Sequence, residues 1–431
     1  MERVGKDLSF VTELRCIRCG QEYSLDEPIC MCSKKDDGRL DISYDYSLLQ
    51  EEITKKILGH RPRGVWKYFE LLPVRKKKNI ITLKAGATPL IRSERLSKKL
   101  GLRKLYLKDE TRNPTGSFKD RSMTVGVSKA VEFGFRTTAT ASSGNAAAAL
   151  SAYCAKAGLR CFAFVLESAP EAKLSQIRLY GTHLFRVKAV EKGRDPTVQM
   201  LSQVVERYGW YPCPSFGPYN PYQVEGPKTI TYELVEQLKW IPPDWVMIPT
   251  GSGCLLTGIW KGFNDFQNLN FIDSKSKLVA VQSEGCAPLV RAFNLNKFSS
   301  DIQPWGFPNT IAGGLSDVYP WDGDTALIAL RESGGLAQTV TDEEILEAQR
   351  LLASTEGIFA EPSGVASLAG LTKLINEGTV KKTETVVVLI TGSGLKDPEI
   401  VKDQFDEYPT IKPNIKDFEA ATRIRSAQCS H

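Results

Sequence analysis

The chain has 431 residues, which is enough for two or three core-forming units without disulfide staples. Its 56 Lys and Arg and its 50 Asp and Glu give a net charge of +6 that is spread over the whole length. Proteins that bind nucleic acid or membrane surfaces present clustered positive charge, so this distribution argues against both functions. No segment approaches the ~18 apolar residues that cross a bilayer. The first residues also lack the apolar stretch of a signal peptide. The sequence therefore predicts a globular, cytoplasmic protein that binds neither nucleic acid nor membrane.

The ten cysteines divide into a cluster of four near the start and six scattered ones. The cluster consists of Cys16 and Cys19, with two residues between them, and of Cys30 and Cys32, with one. Four thiolates at roughly this spacing are typical of a structural zinc site, although the second pair is tighter than usual, and a metal-free remnant is the alternative interpretation. Four protein ligands would leave no open position for catalysis. We predict a small Cys-rich, ribbon-like unit over residues 1–45, followed by a larger unit over residues 46–431.

From about residue 85, short apolar runs alternate with longer segments of helical period, which predicts an α/β fold with a parallel sheet covered by helices. Strands are predicted at residues 104–107, 137–141, 161–166, 184–187, 246–249, 278–281 and 386–390. Helices are predicted at residues 117–133, 144–157, 169–180, 197–208, 228–239, 255–265, 324–333, 342–355 and 364–376. Thr341 and Glu344 have the spacing of a capping box at the start of one of these helices.

A lysine stands at the start of the first long helix, in Asn113-Pro-Thr-Gly-Ser-Phe-Lys119. The positive end of a helix dipole disfavours an ammonium group, so Lys119 is expected to act as a nucleophilic amine, as a Schiff-base lysine does. A lysine near a helix start is, taken alone, more often a surface charge. Its significance therefore depends on the loops that lie near it.

The first of three such loops follows the strand at residues 137–141 and opens an alanine-rich helix. It consists of Ser142, Ser143, Gly144 and Asn145. Backbone N–H groups and two hydroxyls converge there at a helix N-terminus, which suits an anion such as a substrate carboxylate. A plain helix cap is the alternative interpretation.

Two further loops follow predicted strands in the same way. One begins at Thr250 and continues with Gly251, Ser252, Gly253, Cys254 and Leu255. Its N–H groups would bind a phosphate monoester without needing a cation. The other is Thr391-Gly-Ser-Gly394. Because ligands of open α/β sheets collect at the carboxyl ends of the strands, the lysine and the three loops together predict one pocket.

Together these residues resemble the tryptophan-synthase-β-like (fold type II) pyridoxal-phosphate enzymes, and within them the threonine synthases. The resemblance extends from about residue 64 to residue 398. Its most specific pieces lie at residues 113–121, 148–154, 225–229, 356–362 and 391–397. The resemblance implies two open, mostly parallel twisted sheets flanked by helices, with a smaller subdomain at about residues 120–235. It also implies a homodimer that acts on a small amino-acid substrate.

The resemblance assigns roles to the residues of the predicted pocket. Lys119 would form a Schiff base with pyridoxal 5′-phosphate, Asn145 would bond the ring oxygen of the cofactor, and the loop from Gly251 to Leu255 would hold its phosphate. Thr391 would meet the pyridine nitrogen. A hydroxyl does not hold that nitrogen protonated, so elimination or replacement is favoured over transamination.

In a threonine synthase, O-phospho-L-homoserine and water become L-threonine and phosphate. This sequence departs from the family's pattern in the cofactor-phosphate loop, where Ser252 and Leu255 stand in place of the usual asparagines. It also departs at Ala146, where a threonine is usual, and at Gln223, where an arginine is usual. The changes at residues 146 and 223 remove donors expected near the substrate phosphate. The alternatives are a serine/threonine dehydratase, whose typical Ser-Ser-Gly-Asn is present here, or a β-replacing synthase. A non-catalytic ligand sensor is a further alternative, against which the intact Lys119 and Asn145 argue.

Overall fold

The computed structural model describes residues 10–167, 169, 171–188, 195–297, 301–402, 405 and 408–422. The start of the predicted ribbon unit before residue 10, residue 170 of the predicted helix at 169–180, and the chain beyond residue 422, with Cys429, lie outside the described residues. The chain divides into two compact units, Met1–Lys396 and Asp397–His431. The candidate site lies in the first of them.

The strands form three sheets. In chain order they are β1 (Val11–Cys16), β2 (Glu22–Tyr23), β3 (Leu40–Tyr44), β4 (Leu90–Arg92), β5 (Lys104–Asp109), β6 (Thr137–Ala141), β7 (Arg160–Leu166), β8 (His183–Val187), β9 (Tyr211–Pro212), β10 (Trp245–Pro249), β11 (Lys277–Ser283), β12 (Leu336–Val340) and β13 (Thr385–Ile390). The largest sheet has the order β12-β11-β10-β13-β5-β4, and a smaller one has the order β8-β7-β6-β9. Every pair in these two sheets is parallel except β4 with β5. The third sheet, β2-β1-β3, is antiparallel.

Helices connect and cover the strands. In chain order they are α1 (Tyr46–Glu52), α2 (Lys55–His60), α3 (Glu94–Leu100), α4 (Lys119–Glu132), α5 (Asn145–Ala157), α6 (Glu171–Leu179), α7 (Pro196–Tyr208), α8 (Pro221–Val224), α9 (Lys228–Gln237), α10 (Cys254–Asn268), α11 (Pro288–Asn294), α12 (Gly323–Glu332), α13 (Asp342–Glu356), α14 (Pro362–Asn376), α15 (Glu399–Lys402) and α16 (Ile415–Thr422). The last two belong to the second unit. No helix among the described residues combines the length and apolar character that a bilayer crossing requires.

The predicted fold class is confirmed, with two mostly parallel sheets flanked by helices and a Cys-rich antiparallel sheet before them. Each predicted strand and helix has a counterpart whose ends differ by at most three residues. The capping box is present as well, since Thr341 Oγ1 accepts from Glu344 N and Glu344 Oε2 accepts from Thr341 N. The strands that the sequence did not indicate are those of the N-terminal sheet together with β4, β9 and β12. They are short or only partly buried, so their apolar pattern is weak.

The N-terminal sheet has no separate core. Leu14 of β1 and Leu40 of β3 are fully buried, and they belong to the same hydrophobic cluster as Met123 of α4 and Leu256 of α10. The apolar surface of this small sheet is therefore buried against helices such as α4 and α10, as a sheet of three short strands requires.

Strand order places the predicted loops together. Strands β10 and β13 are parallel neighbours, so the loops that follow Pro249 and Ile390 leave the same edge of the large sheet. Helix α14 packs against both strands. The third loop follows Ala141 at the end of β6, in the other parallel sheet.

Candidate active site

Lys119 is the first residue of α4, and the backbone before it is bonded to the loop after β13. Phe118 donates its N–H to the carbonyl of Thr391 at 3.0 Å, and Ser117 forms a β-bridge with Gly392. Two of the predicted site elements are therefore joined directly by backbone hydrogen bonds.

The loop after β6 meets the same region through Asn145. Its amide Nδ2 donates to Glu361 Oε1 at 2.7 Å, and Glu361 is the residue before α14. A methyl group added to Gly392 would lie 2.3 Å from that Glu361 oxygen and 3.2 Å from Asn145 Nδ2. Only glycine therefore lets the backbone of residue 392 approach the Asn145–Glu361 pair so closely.

Ser142, Ser143 and Gly144 line the open part of this loop. The two serines are half-buried and Gly144 is exposed. Gly144 N donates to Ser142 Oγ at 3.2 Å, and a side chain on Gly144 would meet no atom within 4 Å. The loop thus leaves accessible N–H and hydroxyl groups at the start of α5, where an anion is stabilised.

The glycine loop after β10 lies against an acidic side chain. A methyl group on Gly251 would lie 2.6 Å from Asp317 Oδ2, and the Ser252 backbone is among the groups that lower the pKa of the same carboxyl group. Gly253 has a φ of +96°, and a methyl group there would lie 3.0 Å from Asp322 O. The loop residues Cys254 and Leu255 begin α10 and are buried.

Electrostatics link this glycine loop to Lys119. Burial raises the pKa of Asp317 and of Asp322 to about 6, and the Lys119 charge is among the groups that oppose this rise at both carboxyls. Burial raises the pKa of the Cys254 thiol to about 12, again against a lowering contribution from Lys119. The structure therefore brings Lys119 and all three loops into one site.

Sequence reasoning assigned no role to three partners of this site. Glu361 binds Asn145, Asp317 lies against Gly251 of the glycine loop, and Ser215 Oγ accepts a hydrogen bond from Lys119 Nζ. Each lies at least 66 residues from the residue that it contacts. Local patterns carry no signal for such pairs, because only the tertiary fold brings them together.

Ala146 and Gln223, which replace the threonine and arginine that are usual in the family, are both buried. Ala146 is 6% exposed and belongs to the main hydrophobic cluster. Gln223 is fully buried, where its Nε2 donates to Phe216 O at 3.0 Å and its Oε1 accepts from Cys213 Sγ at 3.2 Å. Gln223 therefore holds the neighbouring backbone from a fully buried position.

The cysteine cluster differs from the predicted set of four. The ligand atoms of Cys16, Cys19, Cys32 and Asp36 all lie within 4.8 Å of one another. Cys30 is not in this group; its thiol points to Pro28 O at 3.9 Å. The structure therefore groups three of the four predicted cysteines with Asp36, and the four-cysteine zinc set stays a prediction.

Comparison with known proteins places the chain in a family. Residues 81–392 match the family described as pyridoxal-phosphate dependent enzyme. A threonine synthase of Methanosarcina acetivorans is 43% identical over 93% of this chain and 96% of its own. Another, from Methanocaldococcus jannaschii, is 42% identical over 89% and 93%. This chain belongs to the threonine synthase family. It is therefore a pyridoxal-phosphate-dependent enzyme, as its sequence motifs predicted.

Solved structures of other enzymes share the fold. Maize serine racemase superposes with a TM-score of 0.62 and 22% identity, covering 74% of this chain and 91% of that one. This likeness concerns the fold alone. The non-catalytic alternative has no support from these relationships.

The residues of the site fit the family's cofactor. The glycine loop opens α10, and the backbone N–H groups at a helix start suit an anion such as a phosphate ester. The glycines at residues 251 and 392 let the backbone approach Asp317 and the Asn145–Glu361 pair, where any side chain would clash. Lys119 supplies an amine beside both loops.

Proposed function

We propose that this enzyme converts O-phospho-L-homoserine and water to L-threonine and inorganic phosphate. The observation that carries the proposal is the position of Lys119 at the start of α4, bonded through its neighbours to the loop after β13. The names of the relatives that match along nearly the whole chain support the choice of substrate.

Four parts of the chain would hold pyridoxal phosphate. Lys119 would bond its aldehyde carbon, the N–H groups of residues 251–255 would bind its phosphate, Asn145 would bond its ring oxygen, and Thr391 would face its pyridine nitrogen. Once bound, the cofactor supplies an electron sink for the α carbon of the amino acid. Thr391 is 5% exposed, which suits a hydroxyl facing a buried ring.

The protein's own groups then carry out the remaining steps. The amino group of Lys119 removes protons at the α and β carbons of the substrate and returns protons at the α and γ carbons. The N–H and hydroxyl groups of Ser142, Ser143 and Gly144 orient the substrate carboxylate. Phosphate leaves from the γ carbon with the electrons of the C–O bond, the γ carbon takes up a proton to become a methyl group, and the hydroxyl of water adds at the β carbon in place of the proton removed there.

The test is to incubate the holoenzyme with O-phospho-L-homoserine and to measure phosphate and amino-acid products. Threonine and phosphate formed in equal amounts are expected. Because Ala146 and Gln223 replace the threonine and the arginine that are usual near the substrate phosphate, and both are buried, L-serine and L-threonine are assayed in parallel. Turnover of these two amino acids to keto acids, without phosphate release from O-phospho-L-homoserine, would instead establish the dehydratase alternative.

The Asp317 carboxylate predicts a pH-dependent affinity for the cofactor. Above its pKa of about 6 this group is ionised and repels the cofactor phosphate near Gly251. We expect Asp317→Asn to bind pyridoxal phosphate about tenfold more tightly at pH 8. At pH 5.5 the gain should shrink, because the wild-type carboxyl is then largely protonated. Fluorescence titration of the cofactor-free protein measures both affinities.

The exposed Asp273 provides the matched control. Asp273→Asn is expected to leave the affinity unchanged at both pH values. An equal gain at pH 8 and pH 5.5 for Asp317→Asn would contradict the electrostatic explanation.

We also propose that Cys16, Cys19, Cys32 and Asp36 bind a structural zinc ion. Thiolates 2.3 Å from zinc at tetrahedral angles lie about 3.8 Å apart. The Cys19 and Cys32 sulfurs are 3.6 Å apart, and Cys16 Sγ lies 3.4 Å from Asp36 Oδ2. Four protein ligands fill the tetrahedron, so the ion would stabilise the N-terminal sheet without taking part in catalysis.

Cys30 offers a matched control for the zinc site. We expect Cys32→Ser to reduce bound zinc from one equivalent to about 0.1 or less, since metal affinity depends on each thiolate ligand. Cys30→Ser is expected to retain the full equivalent, because Cys30 lies outside the group. Metal analysis of the purified variants measures this. Zinc lost equally from both variants would show that the ion sits on the four cysteines instead.

The homodimeric state and the cytoplasmic location predicted from the sequence remain part of the proposal. Light scattering of the purified holoenzyme tests the first, with a mass of two chains as the expected result.

A further inference from the structure

Ser215 lies beside the amino group of Lys119. It belongs to the segment between β9 and α8, and its side chain is 2% exposed. Lys119 Nζ donates a hydrogen bond to Ser215 Oγ. The hydroxyl therefore contacts the very nitrogen to which the proposed function assigns the proton transfers.

The backbone of Ser215 has an unusual conformation. Its φ is +76°, in the left-handed region that favours glycine. A serine there costs free energy that a glycine would not, and such strained positions cluster at functional sites. Strain at a buried residue whose hydroxyl meets Lys119 points to a use for that hydroxyl.

The segment around Ser215 is held firmly on both sides. Gly217 N donates to the Asp322 carboxylate at 3.0 Å, and Gln223 Nε2 donates to Phe216 O at 3.0 Å. Asn220 Nδ2 donates to Pro212 O at 2.8 Å. Gln223, where the family usually has an arginine, thus fixes the backbone next to Ser215.

We infer that Ser215 is a positioning residue for Lys119. When the lysine amine is not bonded to the cofactor, the hydroxyl accepts one of its N–H bonds and restricts rotation of the flexible four-carbon stem. The nitrogen lone pair is then directed at the substrate carbons rather than sampling other directions. This inference rests on the proposed role of Lys119.

The experiment compares Ser215→Ala and Ser215→Gly with wild-type holoenzyme. Both variants lose the hydroxyl, but only glycine relieves the backbone strain, so the glycine variant should unfold at the higher temperature. We expect kcat to fall in both by about 10- to 100-fold, as misplacement of a reacting group does. KM and cofactor affinity should change less than about threefold. Ser215→Thr, which keeps the hydroxyl, should recover most of kcat despite lower stability.

A second readout separates this inference from the proposed function. Exchange of the substrate α proton with deuterated solvent, followed by NMR, reports proton transfer at Lys119 whether or not phosphate is released. Slower exchange in the glycine variant supports the inference. Wild-type exchange rates in that variant, or a loss of cofactor binding, would overturn it. Failure of wild-type enzyme to release phosphate would overturn the proposed function instead.

The exposed Asn270, with a φ of +57°, is the control for strain alone. Asn270→Gly is expected to raise the unfolding temperature slightly and to leave kcat unchanged.

Discussion

Replacement of Lys119 by alanine is expected to lower kcat by at least about 10⁴-fold, the scale seen when a covalent nucleophile is removed. The physical reason is that the same amine would both bond the cofactor and transfer the protons. The glycine loop would still bind the cofactor phosphate, so the protein should retain pyridoxal phosphate. It should lose the visible absorption that arises when the cofactor bonds a lysine. Steady-state phosphate release and absorption spectra measure the two effects.

Two variants serve as controls for this experiment. Lys119→Arg keeps the positive charge but cannot bond the aldehyde, so it should be as inactive as the alanine variant. Lys98→Ala, at an exposed position of α3, should retain full activity. More than a tenth of wild-type activity in Lys119→Ala would rule out the assigned role.

Replacement of Arg121 by methionine is expected to destabilise the fold by about 3–5 kcal/mol, the usual cost of removing one partner from a buried ion pair. Arg121 is fully buried in α4, two residues after Lys119. Its guanidinium donates to both oxygens of Glu110 at 2.7 Å and to Glu233 at 2.8 and 2.9 Å. Without it, two buried carboxylates would lose their guanidinium partner, while Lys108 would still donate to Glu233 at 2.8 Å.

The effect should depend on pH. Burial opposes ionisation of Glu110 and Glu233, but the charge and hydrogen bonds of Arg121, together with the Lys108 charge, outweigh it and lower the pKa of both carboxyls. In the wild type, this contribution to stability is present above the ordinary pKa of about 4.3 and is lost as the pH falls below it. In Arg121→Met the buried carboxylates would instead have raised pKa values. The loss of stability should therefore be larger at pH 8 than at pH 5.

Urea unfolding at the two pH values measures this prediction, and Arg178 provides the comparison. Arg178 forms an exposed ion pair with Glu171 at 3.8 Å, and such pairs contribute about 0–1 kcal/mol. Arg178→Met should therefore change the midpoint little. A loss in Arg121→Met that is no larger, or that is independent of pH, would contradict the account of the buried network.

The burial of Arg121 also bears on substrate recognition. A cation must compensate for the missing arginine at residue 223 if a phosphate ester is the substrate. Arg121 is close to Lys119 in sequence, yet its donors are directed at Glu110 and Glu233. It is therefore a structural residue that fixes the first turns of α4 and, with them, the position of Lys119.

The sequence by itself determined the fold class, the main strands and helices, the lysine and the three loops. These depend on local periodicity, on helix starts and on glycine-rich turns, which neighbouring residues encode. It also indicated the family, because the motif around Lys119 and the loop at Thr391 are specific in their residue types.

Only the tertiary structure decided which distant groups meet. It placed Glu361 against Asn145, Asp317 against the glycine loop and Ser215 beside Lys119, and it brought Asp36 to Cys16, Cys19 and Cys32. The first three of these contacts join residues that lie far apart in the sequence and in different parts of the fold. Sequence spacing, in contrast, shows only which residues share a face of one helix or strand. The parallel order of β10 and β13 is the physical reason that separate loops form one site.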